Sequence, residues 1–98
     1  MSGIERIGDE RKRQIECEGW SPDHDDEHEN GELALAAVAY ALHGVYTGHK
    51  PYDGYELYPY EVDSWRPSTR IRNLEKAGAL IAAEIGRLST LHLIHYQL

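Results

Sequence analysis

The positions of the apolar residues along the chain predict three helices. The first covers residues 3–18, where Ile4, Ile7 and Ile15, with Arg11 between them and Glu18 after them, follow a three-four spacing that gives a helix with a thin apolar stripe. Gly8 weakens this helix, because glycine has a low helix propensity, and Gly19 is expected to end it.

A second helix is predicted from about residue 22 to residue 43. Ser21-Pro22-Asp23 is a strong helix start, because serine caps free amide groups, proline is tolerated at the first helical position and the helix dipole favours aspartate. The run from Leu33 to Leu42 is apolar on every side, which is typical of a helix at the centre of a bundle or an oligomer. Gly44 is the expected terminator.

The third helix has the clearest pattern, from near Ser68 to about Leu88 or beyond. Its apolar positions repeat at the heptad spacings by which a helix packs along another helix, and we call them the seam: Ile71, Leu74, Gly78, Ile81, Ile85 and Leu88. Gly78, between two alanines, indicates a close helix crossing. The apolar tail, residues 91–98, either extends this helix or forms a short strand.

Residues 44–66, between the second and third helices, cannot form a regular helix. They hold five tyrosines, one tryptophan, three glycines and two prolines. Such a long connection in a small domain is often functional when it is ordered. The predicted fold class is therefore all-α, a bundle of about three helices with a long tyrosine-rich loop.

Chain length and charge narrow the class of protein further. A chain of 98 residues is expected to form one domain, residues 1–98, with a core so modest that a dimer or a larger homo-oligomer is expected. The net charge of −7 argues against direct binding to DNA or RNA and against an anionic membrane surface. One cysteine, no signal-peptide core and no apolar run of membrane-spanning length predict a cytoplasmic protein.

The acidic segment before the alanine-rich run contains a candidate metal site. On a helix, His24, His28 and Glu32 lie four residues apart on one face, and two histidines with a carboxylate are a known metal-binding set. Asp25 and Glu29 form a second pair on a neighbouring face, suited to a hard cation such as magnesium. The alternative is structural, since acids crowd helix N-termini and histidines at the end of an apolar stripe often only pack. The cofactor prediction is thus a divalent metal, magnesium or zinc, or none.

A basic and aromatic group lies around the start of the third helix. Its aromatic members are Tyr52, Tyr55, Tyr58, Tyr60 and Trp65, and its basic members are Arg66, Arg70, Arg72 and Lys76. Arginine pairs with phosphate, a helix N-terminus offers free amide groups, and rings stack on bases, so these are the parts of a nucleotide pocket. Alternatively, the tyrosines act as a surrogate core in a chain without phenylalanine, and the basic residues are surface residues or partners of the acidic helix.

Most of residues 11–88 resembles a family of small proteins carried by bacteriophages and prophages. The likeness rests on two segments, RKRQIECEGWSPDHDDEHENGELALAAVAYAL and RPSTRIRNLEKAGALIAAEIGRL. The middle segment of the family is tryptophan-rich, whereas here it is longer and tyrosine-rich. The resemblance implies a phage or prophage setting and action in the cytoplasm of the infected bacterial host.

A looser resemblance is to the all-helical nucleoside triphosphate pyrophosphohydrolases of the MazG type. Those enzymes hold magnesium over a triphosphate with glutamates on paired helices, which implies metal binding by Glu29 and Glu32 here. The third helix departs from that pattern, because its only glutamates, Glu75 and Glu84, are nine residues apart.

Three functions are therefore expected as alternatives. The first is a non-enzymatic phage accessory protein that antagonises host defence, by sequestering a nucleotide signal or by binding a host defence protein. The second is a magnesium-dependent nucleotide pyrophosphohydrolase that uses Asp25, Glu29 and Glu32. The third is an acidic protein-binding module in which the run from Asp23 to Glu32 mimics nucleic acid.

Overall fold

The described part of the chain folds into three α-helices without a β-strand. The computed structural model describes residues 1–19, 31–46 and 48–97, the last eight of these by their backbone alone. Helix α1 spans Gly3–Glu18, α2 spans Glu32–Leu42 and α3 spans Arg70–Gln97. The predicted all-α class is confirmed. No helix in the described ranges is long and apolar enough to cross a bilayer.

Helix α1 begins and ends where the sequence predicts. The Ser2 hydroxyl accepts a hydrogen bond from the backbone N–H of Glu5 at 3.1 Å, and the Glu5 carboxylate accepts one from the N–H of Ser2 at 3.2 Å. This capping box satisfies two amide groups that a helix start leaves unpaired. At the other end, Gly19 takes a left-handed conformation with φ 70°, which glycine adopts without strain.

Helices α2 and α3 run antiparallel. The Arg70 guanidinium, at the start of α3, donates from Nη1 to the carbonyl oxygens of Ala41 and His43, both at 2.9 Å, at the end of α2. These bonds satisfy carbonyl groups that a helix end leaves unpaired.

The sequence predicts one helix from about residue 22 to residue 43, but Gly31 takes a left-handed conformation with φ 82° and α2 begins at Glu32, so the helix is not continuous across Gly31. Residues 22–30 lie outside the described residues. For the C-terminal tail, the structure selects the first alternative, because α3 continues as a helix to Gln97.

The core between α2 and α3 consists mainly of small side chains. Alanines allow the two helix backbones to approach closely, and the large rings of Tyr40 and Tyr58 fill the space under the loop. The buried core residues are Leu33, Ala36, Ala37, Ala39, Tyr40, Tyr58, Ala77, Leu80 and Ala83.

Helix α3 is the central element of the fold. It packs against α2 on one side and against α1 on the other, whereas α1 and α2 have little direct contact. At the crossing with α1, a Cβ added to Gly78 would lie only 2.5 Å from Cδ1 of Ile7, so the close crossing predicted at Gly78 is confirmed. The three helices therefore form a layer with α3 in the middle.

The heptad seam of α3 is open to solvent within a single chain. Its five large members, Ile71, Leu74, Ile81, Ile85 and Leu88, are 47–60% exposed. On α2, Leu35, Val38 and Leu42 are 38–43% exposed, although a helix that is apolar on every side is expected to be buried all round. The physical reason is that the alanine faces of α2 and α3, which permit closer packing, form the contact between the two helices.

Candidate functional site

A cleft opens between α1, the loop and α3. Its volume is about 360 Å³, which lies in the usual range for small-molecule sites. All three helices and the loop contribute to its lining, which consists of Arg13, Gln14, Glu18, Tyr40, Asp63, Ser64, Arg66, Lys76 and Leu80.

Tyr40 fixes the loop at the floor of this cleft. Its hydroxyl accepts a hydrogen bond from the backbone N–H of Arg66 at 3.0 Å and donates one to the carbonyl oxygen of Ser64 at 3.4 Å. Burial raises the pKa of Tyr40 to about 12. The phenol therefore stays protonated at neutral pH and keeps both bonds, which hold Arg66 at the rim.

Lys76 reaches the cleft from α3. Its Nζ donates to the carbonyl oxygen of Arg66 at 2.5 Å and lies 5.4 Å from the centre of the Tyr40 ring. Desolvation by burial, assisted by the positive charge of Arg72, lowers the pKa of Lys76. The bond to Arg66 uses one of the three ammonium hydrogens, so the other donors of Lys76 can serve a ligand.

Gln14 has one of its two side-chain polar atoms without a hydrogen-bond partner in the described part of the chain. Its Nε2 donates to Oε2 of Glu10 at 3.2 Å, which fixes the orientation of the amide. Its Oε1 is buried and has no hydrogen-bond partner among the described residues. A buried acceptor without a donor costs free energy. This oxygen has almost no accessible surface, so a ligand in the cleft reaches it only after the Gln14 side chain or a neighbour moves.

The aromatic residues of the predicted pocket pack mainly against one another. The Tyr58 ring lies 4.8 Å from that of Trp65 and 5.5 Å from that of Tyr60, and the Trp65 ring lies 4.6 Å from that of Tyr40, centre to centre. The Tyr58 hydroxyl is 2.7 Å from Oγ of Ser64. Together these rings form a cluster over α2, as expected of a surrogate core.

Tyr55 and Tyr52 lie at the edge of this cluster. The Tyr55 ring is 6.1 Å from that of Trp65, and the side chain is exposed. Two hydrogen bonds fix the backbone of Tyr52. Its N–H donates to the carbonyl oxygen of Val45 at 2.7 Å, and its carbonyl oxygen accepts from the N–H of Gly44 at 2.9 Å. Stacking of the loop rings on a ligand stays a prediction.

The four predicted basic residues divide into two pairs. Arg66 and Lys76 line the cleft, whereas Arg70 caps α2. Arg72 instead bridges two acids, through Nη2 to Oε1 of Glu10 at 2.8 Å and through Nη1 to Oε1 of Glu75 at 2.6 Å. The structure thus does not bring the four side chains together around one ligand.

A network of ion pairs joins α1 to α3, and sequence reasoning missed it. Glu10 is at its centre, with Arg13 Nε at 2.8 Å and Arg72 Nη2 at 2.8 Å from its Oε1. Burial alone would raise the pKa of Glu10, but the hydrogen bonds from Arg13 and Arg72 outweigh it and lower the pKa to about 2. A second bridge, from Arg6 Nη1 to Oε2 of Glu75 at 3.1 Å, lies one turn away.

Arg13 is the cleft residue that the sequence could have suggested. It lies three residues after Glu10 and five before Glu18, and its Nη2 is 2.9 Å from Oε1 of Glu18. The three-residue spacing of Glu10 and Arg13 is one at which an acid and a base are neighbours on a helix. The sequence does not show that Arg13 lies in the same cleft as Lys76 and Tyr40.

Most of the predicted metal site lies outside the described residues. This applies to His24, Asp25, His28 and Glu29. Glu32 is the first residue of α2 and is partly exposed, and the left-handed Gly31 before it interrupts the four-residue helical spacing on which the prediction of a shared face with His28 rests. Within the described ranges, no three His, Cys, Asp or Glu side chains are grouped to hold a metal ion. The metal site stays a prediction.

The fold and the cleft define a small all-α protein with a charged surface cleft beside an aromatic cluster. Comparisons with protein-family models, with curated proteins and with solved structures give no match to this chain.

Proposed function

We propose that this chain is a small binding protein, without catalytic activity, that takes a phosphorylated molecule of nucleotide type into the cleft. The observation that carries the proposal is that the cationic side chains of Arg13, Arg66 and Lys76 line one cleft beside the Tyr40 ring. Cationic groups favour phosphate, and the acidic side chains in the same lining favour a ligand with N–H or O–H donors, such as a base or a sugar.

The charge balance of the cleft supports a nucleotide over a simple polyanion. Three of its lining residues are basic, Arg13, Arg66 and Lys76, and two are acidic, Glu18 and Asp63. The carboxylates repel a ligand that is negative all over, but accept hydrogen bonds from hydroxyl or amino groups. A ligand with one anionic end and one end rich in donors fits this balance best.

The biological setting of the proposal comes from the resemblance to phage and prophage proteins. In an infected bacterium, a protein that holds a nucleotide signal without turning it over would deprive a host defence system of that signal. A cytoplasmic location and self-association belong to the same proposal. A divalent metal bound with the nucleotide, through the acidic segment, remains compatible with it.

Charge reversal at Arg66 is expected to weaken ligand binding. In Arg66→Glu, a phosphate would meet a carboxylate instead of a guanidinium, so affinity should fall at least about tenfold, the equivalent of one charged hydrogen bond. The measurement is isothermal titration with a panel of mono-, cyclic and dinucleotides. Lys12→Glu is the matched control, because Lys12 is also exposed and lies outside the cleft lining. Its affinity should equal that of the wild type.

Two results would count against this function. One is a wild-type protein that binds no member of the panel, and the other is an Arg66→Glu variant with unchanged affinity. Conversion of a nucleotide during the titration would instead favour the pyrophosphohydrolase. Charge reversal at Arg70 or Arg72 would test the fold rather than the site, because these side chains hold α2 and α1.

A further inference from the structure

The helical layer has two faces of different character. Lys76 and Leu80 line the cleft on one of them. Leu74 lies roughly 160° from Lys76 around the helix axis, at 3.6 residues per turn, so the seam is on the opposite side of α3. In the described part of α3, the row that contains Leu74, Ile81 and Leu88 has one charged residue, Arg70.

Arg70 shows that this apolar row runs directly beside α2. It lies one turn before Leu74 on the same row, and its guanidinium reaches the carbonyl oxygens of Ala41 and His43. Around α2, Ala41 lies between buried Ala37 and exposed Val38. The exposed stripe of α2 therefore adjoins the seam. We call the joint surface of Leu35, Val38, Leu42 and the large seam residues the open face.

We propose that a second copy of this chain covers the open face, with the two α3 helices packed antiparallel along their seams. A layer of helices is stable when its apolar face is buried against another layer. The second copy would supply that layer and would leave both clefts on the outside. This inference gives a surface and a register to the self-association included in the proposed function, and it does not rest on the ligand of the cleft.

The area of the open face fits a dimer. Its eight large side chains are 38–60% exposed and present on the order of 700 Å² of surface, near the 800 Å² or so that each partner buries in a stable interface. The largest apolar patch of an ordinary monomer is roughly 300–600 Å². The open face is therefore larger than a chain that stays alone usually exposes.

The spacing of the seam allows a second copy to pair with it. The intervals 3, 4, 3, 4 and 3 read the same in both directions along α3. An antiparallel pair related by a twofold axis needs such self-complementarity. In that register Leu74 of one copy meets Ile85 of the other, and Ile71 meets Leu88. Ile81 of one copy meets Gly78 of the other, where the Ile7 side chain occupies the space beside the glycine.

The dimer is tested by the mass of the protein in solution. Light scattering after size exclusion should give twice the chain mass of 11.2 kDa for the wild type. The Ile81→Glu/Ile85→Glu variant should be monomeric, with a dimer Kd raised at least about 100-fold, because each acid would be buried without a partner. Its far-UV circular dichroism should be unchanged, since both side chains are exposed in the single chain.

Val62→Glu is the matched control for this variant. Val62 is 60% exposed but lies in the loop, away from the seam, so its variant should remain dimeric. The dimer should also persist at about 0.5 M salt, because a net charge of −7 on each copy opposes association and salt screens it. A wild type that is monomeric at about 100 µM, an unaffected double variant, or a dimer that salt dissociates would each overturn the proposal.

The antiparallel register has its own test in a Cys17→Ser background, which removes the exposed native thiol. Leu74→Cys and Ile85→Cys proteins are mixed and oxidised. The expected product is a disulfide between the two different variants. Efficient crosslinking of either variant to itself would overturn the antiparallel arrangement.

Discussion

Replacement of Gly54 by alanine should lower the free energy of unfolding by about 3 kcal/mol or more, an effect at the upper end for overpacking. A Cβ at this position would overlap the carbonyl oxygen of Ala39 and lie 3.0 Å from Cβ of His43. Both neighbours belong to α2 or its end, so neither can move without disturbing that helix. The loop would have to lift away, and the bond from Gly54 N–H to Nδ1 of His43, 3.1 Å long, would break.

Gly8→Ala is the control for this substitution. Gly8 is exposed within α1, and a Cβ there would meet no atom within 4 Å. Alanine should therefore raise the free energy of unfolding by about 0.5–1 kcal/mol through helix propensity alone. Urea denaturation followed by far-UV circular dichroism measures both variants. Equal effects of the two substitutions would contradict the close contact between the loop and α2.

Replacement of Glu10 by glutamine should cost about 3 kcal/mol of stability at neutral pH. The folded chain lowers the pKa of Glu10 from 4.5 to about 2, and each pKa unit corresponds to about 1.4 kcal/mol. The amide cannot replace the carboxylate between Arg13 and Arg72, so the link between α1 and α3 is lost. Urea denaturation at several pH values is the measurement.

The stability difference between the wild type and Glu10→Gln should depend on pH. Because the pKa of Glu10 is lower in the folded state, its contribution is complete above the unfolded value of 4.5. It is lost as the pH falls from about 5 to about 2, where folded Glu10 takes up its proton. The wild type and Glu10→Gln should therefore differ most near neutral pH and converge in acid. Glu16→Gln, an exposed change on the same helix, should follow the wild type throughout.

The sequence pattern predicted α1, α3 and the close crossing at Gly78, but not the start of α2 or the contact between α2 and α3. The bounds of α1 follow from two local features, the Ser2 cap and Gly19, and both can be read directly from the sequence. The seam of α3 is equally clear in the sequence, yet in one chain the alanines of α2 and α3 form the contact. Periodicity shows that a helix has an apolar side, and it does not show whether the same chain covers that side.

The candidate site was predictable only in part, because it depends on distant segments. Arg66 and Lys76 are close in sequence, and both lie in the cleft. Gln14 and Arg13 come from α1, more than fifty residues away, and no local pattern places them there. In the sequence, Arg70 and Arg72 look as suitable for a ligand as Arg66. In the structure, the Arg70 guanidinium binds carbonyl oxygens at the end of α2, and the Arg72 guanidinium binds the carboxylate of Glu10.

The attachment of α1 to α3 has a consequence for the dynamics of the cleft. The side chains that α1 buries most deeply, Glu10 and Gln14, are polar, and ion pairs provide much of its attachment to α3. An element held in this way opens at a lower free energy than a helix sealed by apolar contacts. Since α1 forms one wall of the cleft, its opening and ligand occupancy are thermodynamically linked. A ligand that touches both walls must slow amide hydrogen exchange along α1, and closure of α1 must tighten the ligand by the same factor.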